Sequence, residues 1–186
     1  MTTATLALAL VTLGHPDRTS ADRASAHILA STVLRAATAH DVPPILLAAI
    51  AAHETNFHRE HVGAAGERGR WQMLPATARL LGYRGSDTAL AQDPLNAGYA
   101  AAWLAHVRAV CARHGHTSEA AFVNAYRGAS CRRKPGGAWP TRYARQILDL
   151  AAMARAATQP ETKPNTPPTI AERHPASTAE RTETRR

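Results

Sequence analysis

Glu54 stands in a stretch rich in groups that do acid–base or metal chemistry, residues 51–75, which reads AAHETNFHREHVGAAGERGRWQMLP. Its histidines, at positions 53, 58 and 61, suggest either a zinc site or a single carboxyl group acting as an acid. A zincin motif needs two histidines at i and i+4 on one helical face. His53 and His58 are five residues apart, which leaves their directions on a helix roughly 140° apart. The spacing therefore excludes a zincin motif.

A second metal set remains in the same stretch. Glu54, His58 and His61 are spaced i, i+4 and i+7, which would place them on one face if the helix continued. Gly63 and Gly66 follow at once and indicate that the helix has already ended. We therefore interpret the histidines as polar loop residues, and we expect neither a metal nor a cofactor.

The other possibility is a carboxyl group at the end of a buried helix. Residues 43–57 read PPILLAAIAAHETNF, and a helix that is apolar on nearly every side is expected to be buried. Leu47 and Ile50 precede Glu54 by seven and four residues, so the glutamate extends an apolar stripe. Burial and the helix C-terminus both raise a carboxyl pKa. Such an acid suits glycosidic bond cleavage; the alternative is a surface glutamate.

The elements that must position Glu54 all have helical periodicity. The chain is alanine-rich and carries almost no alternating strand pattern, which predicts an all-α domain. Ser20 or Asp22 is expected to cap the first of these helices and Ser118 a later one. The predicted helices cover residues 20–40, 43–57, 75–81, 93–114, 118–128 and 141–157.

The two ends of the chain differ from this domain, which we place at residues 21–157. Residues 1–20 contain an apolar run, residues 4–13, that has the length of a signal-peptide core and is too short to span a bilayer. No basic residue precedes the run, so a short buried helix is the alternative. Residues 158–186 are rich in Thr, Pro, Glu and Arg, and we expect this tail to be disordered.

The formal net charge is +8, from 22 basic and 14 acidic residues. This charge suits an acidic polymer such as cell wall, or it serves solubility alone. Aromatic residues make up 5% of the chain and do not alternate with basic runs, so we expect no nucleic-acid partner. Cys111 and Cys131 are the two cysteines, and they form either one disulfide or two separate thiols.

Five segments then resemble one family in order and spacing. AIAAHETNF resembles the segment of the soluble lytic transglycosylase (SLT, goose-type lysozyme-like) family that carries its catalytic Glu-Ser pair. GERGRWQMLPATA resembles the family pattern G-x-x-G-L-M-Q-x-x-P-x-T-A. Three later segments resemble its D-P-x-x-N pattern, its A-Y-N-x-G pattern and its tyrosine-bearing last helix. The five segments are residues 49–57, 66–78, 93–104, 125–128 and 142–147.

The resemblance implies an all-α, lysozyme-like helical domain that cleaves the MurNAc–GlcNAc β-1,4 bond of peptidoglycan. Glu54 would be the catalytic acid and base. Thr55 replaces the family's serine and would keep a hydroxyl near the carboxylate. Tyr126 and Tyr143 would approach that carboxylate. The substrate-binding residues it implies are Thr55, Trp71, Gln72, Met73, Tyr126, Arg127 and Tyr143.

Two of these positions depart from the family pattern. Trp71 stands where methionine is usual, and it either stacks on a sugar or fills the core; we favour the groove. Arg127 stands where asparagine is usual. A cation close to Glu54 would lower its pKa and oppose acid catalysis.

Glu54 is the one carboxylate with a well-supported position. One residue can protonate the leaving oxygen and then accept a proton from the sugar's C6 hydroxyl, which forms a 1,6-anhydro ring. Hydrolysis, with Glu60 or Glu67 positioning a water, is the alternative chemistry. A non-catalytic cell-wall-binding protein is the alternative function, suggested by Trp71 and Arg127.

The resemblance also sets expectations about partners and place. Peptidoglycan glycan strands are the expected partner, and a secretion, conjugation or phage assembly is a further candidate. We expect a monomer that acts in the periplasm or outside the cell.

Overall fold

The computed structural model describes residues 1–16, 19–128, 131 and 139–159. Within these ranges the chain forms seven α-helices and one 3₁₀ turn, Ala89–Ala91, and no β-strand. The predicted all-α class is confirmed. The predicted disordered tail lies outside the described residues, except for residues 158 and 159. The helices are α1 (Thr3–Thr12), α2 (Ser20–Ala39), α3 (Pro44–Thr55), α4 (Pro75–Leu80), α5 (Asp93–Arg113), α6 (Glu119–Tyr126) and α7 (Arg142–Ala157).

Helix α3 is the centre of the core. Residues 45–52 are all buried, and the helix packs against α1, α2, α5 and α7. It ends at Thr55 because Asn56 and Phe57 adopt left-handed backbone conformations, with φ of 49° and 64°. The predicted end at Phe57 was therefore two residues too late. The prediction that Glu54 lies in the last turn of a buried helix is confirmed.

The start of α2 corrects a predicted cap. Thr19, and neither Ser20 nor Asp22, is the N-cap residue. Its hydroxyl accepts a hydrogen bond from the Asp22 backbone N–H at 3.1 Å, and the Asp22 carboxylate accepts one from the Thr19 N–H at 3.0 Å. This reciprocal capping box satisfies two backbone donors at once, which is why the helix begins one residue after Thr19.

The N-terminal segment forms helix α1, which packs against α2, α3 and α7. Leu6 and Leu10 are fully buried, whereas Leu8 is half exposed. Residues four apart on a helix share a face, so the apolar run contributes one face to the core. Helix α1 therefore matches the short buried helix that we gave as the alternative to a signal-peptide core. In the described part of the chain, no helix combines the length and hydropathy needed to cross a membrane.

Helix α7 closes the domain next to the end of α3. Tyr143, Ile147, Ala151 and Ala154 are buried, and their spacing of three and four residues forms one apolar stripe. That stripe packs against α1, α3 and α6. Tyr143 is in the first turn of α7, so the packing of α7 on α3 brings its side chain to Glu54.

A disulfide ties the end of α5 to the chain that follows α6. Cys111 lies in the last turn of α5, and its sulfur is bonded to that of Cys131. Of the two alternatives that the sequence leaves open, the structure therefore has the disulfide.

Candidate active site

A cleft of about 390 Å³ opens where the C-terminus of α3 meets the loop before α4 and the ends of α6 and α7. Six of the predicted site residues line it: Glu54, Gln72, Met73, Tyr126, Arg127 and Tyr143. Six further residues complete the lining: His53, Glu67, Leu74, Thr77, Trp103 and Gly128. The sequence motifs on five helices, α3 to α7, and on the loop before α4 therefore converge on a single cavity.

Glu54 is partly buried in the wall of this cleft. The Tyr143 hydroxyl donates a hydrogen bond to its Oε1 at 2.5 Å. Burial raises the pKa of Glu54 above its usual value, against the lowering effects of the Tyr143 hydrogen bond and of the charges of His53 and Arg127. The negative charge of Glu67 raises that pKa further. Burial therefore outweighs the hydrogen bond and the charges of His53 and Arg127, and the pKa of Glu54 lies above its usual value.

Tyr143 keeps its own proton in this setting. Burial raises its pKa strongly, and the charge of Glu54 acts in the same direction. The hydroxyl therefore remains a hydrogen-bond donor to Glu54. The ring is packed on two sides, with the His53 ring edge-on at 5.0 Å and the Arg127 guanidinium 5.4 Å from the ring centroid. These contacts fix the direction from which Tyr143 meets the carboxyl group.

Asn96 of α5 is one of the buried side chains that hold the loop between α3 and α4. Its Nδ2 donates to the backbone carbonyls of Arg68 and Leu90, at 2.8 and 3.0 Å. Its Oδ1 accepts from the Trp71 N–H at 2.9 Å. Gly69, with φ of 70°, passes so close that an added Cβ would lie 2.7 Å from the Asn96 amide. Glycine is needed here both for its conformation and for this close approach.

Gln72 also has a left-handed backbone, with φ of 47°. Its Nε2 donates to the Gly69 carbonyl at 2.8 Å, and its side chain lines the cleft. Non-glycine residues in this conformation are uncommon and concentrate at binding and catalytic sites.

Comparison with protein-family models gives a match to the region that contains Glu54 and most of the cleft. The model described as the transglycosylase SLT domain matches residues 31–135, which is more than half of the chain. The chain belongs to the transglycosylase SLT family. Searches of curated proteins and of solved structures gave no match. Members of the family are lysozyme-like enzymes that act on peptidoglycan outside the cytoplasm, so this chain is a peptidoglycan glycosidase in that general sense.

In this SLT domain, the expectation that Trp71 lines the sugar groove is wrong. The indole is fully buried, and its Nε1 donates to the Leu47 carbonyl of α3 at 2.8 Å. The Trp71 carbonyl in turn accepts a hydrogen bond from the Tyr126 hydroxyl at 2.9 Å. Trp71 therefore joins the loop, α3 and α6 as a core residue, and it presents no face to a sugar.

Thr55 also differs from its expected place, whereas Tyr126 shares the cleft with Glu54 as expected and departs only in the hydrogen-bond partner of its hydroxyl. The Thr55 hydroxyl donates to backbone carbonyls, with distances of 3.3 Å to Ala51 and 3.1 Å to Arg70, so it fastens the loop to α3. It was expected to hydrogen-bond near the carboxylate. Tyr126 lines the cleft, but its hydroxyl bonds the loop, and burial raises its pKa.

The sequence interpretation missed two aromatic rings in the cleft wall. Trp103 lies seven residues after Asn96 on α5, which is nearly the same helical face, and its Nε1 donates to the Tyr126 carbonyl at 2.8 Å. His53 was considered only as a zinc ligand or a polar loop residue, yet it lies in α3 and its Nε2 hydrogen-bonds Gln146 Oε1 at 3.2 Å. Helical spacing from the motif asparagine was the signal that could have identified Trp103.

The zinc alternative is not supported by the helix bounds. Because α3 ends at Thr55, His58 and His61 lie on the following loop, where both are exposed. They do not share a helical face with Glu54. In the described part of the chain, no group of three or more metal-binding side chains is placed to hold an ion.

Replacing Tyr143 with phenylalanine is expected to raise the pKa of Glu54 further. The Tyr143 hydrogen bond lowers that pKa, so its loss favours the protonated carboxyl. The alkaline limb of the pH profile of kcat on peptidoglycan then moves to higher pH. Tyr83→Phe is the matched control, because the Tyr83 hydroxyl bonds the Ser86 carbonyl outside the cleft. An alkaline limb that stays in place, or moves to lower pH, would contradict this assignment.

Proposed function

We propose that this SLT domain is a lytic transglycosylase that cleaves the MurNAc–GlcNAc β-1,4 bond, with Glu54 as acid and then base. The observation that carries the proposal is the position of Glu54, partly buried in the cleft with a raised pKa. Tyr143 donates to Oε1, which leaves Oε2 to carry the acidic proton toward the substrate. A general acid of this kind accelerates such reactions by about 10²–10⁴-fold.

The proposed reaction uses one carboxyl group twice. Glu54 gives its proton to the bridging oxygen as the bond from that oxygen to C1 of MurNAc breaks. Positive charge then develops at C1 and the ring oxygen. The resulting carboxylate accepts the proton of the C6 hydroxyl as O6 bonds to C1. The products are a 1,6-anhydroMurNAc end and a free GlcNAc end, and Glu54 is protonated again.

The remaining lining is assigned to sugar binding. Gln72 offers an amide to sugar hydroxyl and N-acetyl groups, and Met73 offers an apolar floor. Trp103, partly exposed in the cleft wall, takes the sugar-stacking role that the sequence suggested for Trp71. Aromatic rings in such clefts combine a large apolar face with a polar edge.

Hydrolysis is the second candidate, because Glu67 lines the same cleft. Its Oε2 accepts the Ala65 N–H at 2.9 Å, so the carboxylate is held by its own loop and could position a water. Glu60, the other residue considered for this role, lines a separate cavity and not the cleft.

Product analysis distinguishes the two reactions. In water enriched in ¹⁸O we expect released muropeptides to carry 1,6-anhydro ends and no ¹⁸O, because no water is consumed. Glu67→Gln is expected to keep these products, since the proposed reaction needs only Glu54. Mass spectrometry of the fragments gives both results. Reducing ends that carry ¹⁸O in the wild type and are absent in Glu67→Gln would show that the reaction is hydrolysis and not transglycosylation. Binding to sacculi without release of soluble fragments would indicate a wall-binding protein.

Place and partners follow from the substrate. We propose that the domain acts in the periplasm or outside the cell, as a monomer on glycan strands. A secretion, conjugation or phage assembly is a candidate setting in which local wall opening would be required.

A further inference from the structure

Arg127 holds a position in the cleft that the proposed reaction does not use. It is the C-cap residue of α6, its side chain is exposed, and it lines the cleft beside Glu54. The guanidinium lies 5.4 Å from the centroid of the Tyr143 ring, within the range of a cation–π contact. The same tyrosine donates a hydrogen bond from its hydroxyl to Glu54, so one side chain contacts both the cation and the acid.

Among the described residues, no carboxylate forms an ion pair with this guanidinium. The ion pairs found among the described residues use other arginines, namely Arg59, Arg70, Arg79, Arg108 and Arg155. The carboxyl groups that share the cleft with Arg127 are Glu54 and Glu67. Glu54 bonds Tyr143 and Glu67 bonds a backbone N–H. Within the described part of the chain, a positive group therefore lines the cleft without a carboxylate ion pair, and its N–H groups can bind a ligand.

The chemistry of a guanidinium selects its ligand. Its planar donors match a carboxylate in a two-point arrangement, and such charge-assisted bonds are roughly twice as strong as neutral ones. Stacking on an aromatic ring fixes the plane of the group and reduces the entropy lost when it binds. A carboxylate on the substrate is therefore the ligand that best matches this group.

Peptidoglycan carries carboxyl groups at particular places. Every MurNAc bears a lactyl group, whose carboxyl is an amide where a stem peptide is attached and a free carboxylate where the peptide has been removed. Stem peptides carry carboxylates of their own, and GlcNAc carries none. In the proposed reaction MurNAc and GlcNAc both flank Glu54, and MurNAc is the one of the two whose lactyl group or stem peptide can offer a carboxylate to the cleft that Arg127 lines.

We propose that Arg127 binds a carboxylate of the muramic unit at the scissile bond, so that the cleft selects anionic glycan. This inference rests on the proposed function for the identity of the polymer. The carboxylate comes either from the free lactyl group of peptide-stripped strands or from the stem peptide of intact strands. Arg127 is thus a specificity-determining residue, distinct from the acid itself.

Binding to a catalytically silent protein separates this inference from the reaction. In the Glu54→Gln background, calorimetry is done with peptide-stripped glycan oligomers and with the same oligomers after the lactyl carboxylates are converted to methylamides. We expect the free carboxylate to bind about 10-fold or more tightly than the methylamide, as a charge-assisted pair implies. Adding Arg127→Gln is expected to abolish the difference, and Arg127→Lys to retain part of it.

Peptide-bearing oligomers form the second arm. If they bind more tightly than both stripped forms, and Arg127→Gln removes that advantage, the carboxylate belongs to the stem peptide. Arg35→Gln, an exposed change on α2 away from the cleft, controls for loss of one positive charge. It is expected to preserve the ranking.

The outcomes distinguish the two proposals. Equal affinity for the carboxylate, methylamide and peptide-bearing forms in the Arg127-containing protein, or differences that survive Arg127→Gln, would overturn the role of Arg127 while leaving the reaction in place. If the wild-type protein releases no fragments but the ranking depends on Arg127, the reaction fails and the carboxylate site stands.

Discussion

Glu54→Gln is expected to slow release of soluble fragments from peptidoglycan by at least about 10²-fold, because a general acid contributes 10²–10⁴ to such a reaction. Glutamine keeps the size of the side chain and its ability to accept the Tyr143 hydrogen bond, but it has no acidic proton. The measurement is the initial rate of muropeptide release, followed by mass spectrometry. Glu60→Gln, an exposed change outside the cleft, is the matched control and should match the wild type.

The stability of Glu54→Gln shows whether a loss of activity could result from unfolding of the variant. The pKa of Glu54 is raised in the folded protein, so its protonated form is favoured by folding. The stability gained from protonated Glu54 is present below the pKa that Glu54 has in the unfolded chain. It is lost as the pH rises through the pKa that Glu54 has in the folded protein. Above it, the wild type holds a buried charge that Gln lacks. The variant should therefore unfold no more readily than the wild type at alkaline pH, and wall-clearing activity retained in a folded Glu54→Gln would end the catalytic assignment.

Trp71→Ala is expected to lower the free energy of unfolding by about 3–5 kcal/mol, the usual cost of truncating a buried tryptophan. The indole has no exposed surface, and its N–H bond to the Leu47 carbonyl is lost as well. Domains of this size are stable by only about 5–15 kcal/mol, so the loss is a large fraction of the total. Urea denaturation of the purified variant measures it.

Trp103→Ala is the matched comparison, because Trp103 is partly exposed in the cleft. Its truncation should cost less stability than that of Trp71 and should weaken binding of glycan oligomers. A Trp71→Ala protein as stable as the wild type, with impaired sugar binding alone, would restore the groove assignment and contradict the buried position.

The helical framework was predictable because it depends on local patterns. Apolar periodicity and proline positions located the helices from α2 to α7 to within two or three residues, and the buried stripe of α3 predicted where Glu54 would lie. The errors at the ends of α2 and α3 have local causes, a capping box at Thr19 and left-handed residues after Thr55. Both features depend on backbone geometry that periodicity does not describe.

The loop residues were harder to predict because distant contacts decide their orientation. Nothing near Trp71 in the sequence shows that Asn96, on another helix, holds its backbone and so directs the indole inward. The hydroxyls of Thr55 and Tyr126 likewise hold this loop, through hydrogen bonds to the Arg70 and Trp71 carbonyls. The expected effect of Arg127 on Glu54 had the right sign, but burial of the carboxyl group is the larger influence.

The packing of α7 against both α1 and α3 has a consequence for synthesis on the ribosome. The acid on α3 is made early, but Tyr143, which holds it, is added about ninety residues later. Until α7 emerges, the nascent chain lacks the helix that covers α1 and completes the wall around Glu54. A chain interrupted before Tyr143 would therefore carry the acid without its hydrogen-bond donor, and the wall-degrading site would be assembled only as translation of the domain nears its end.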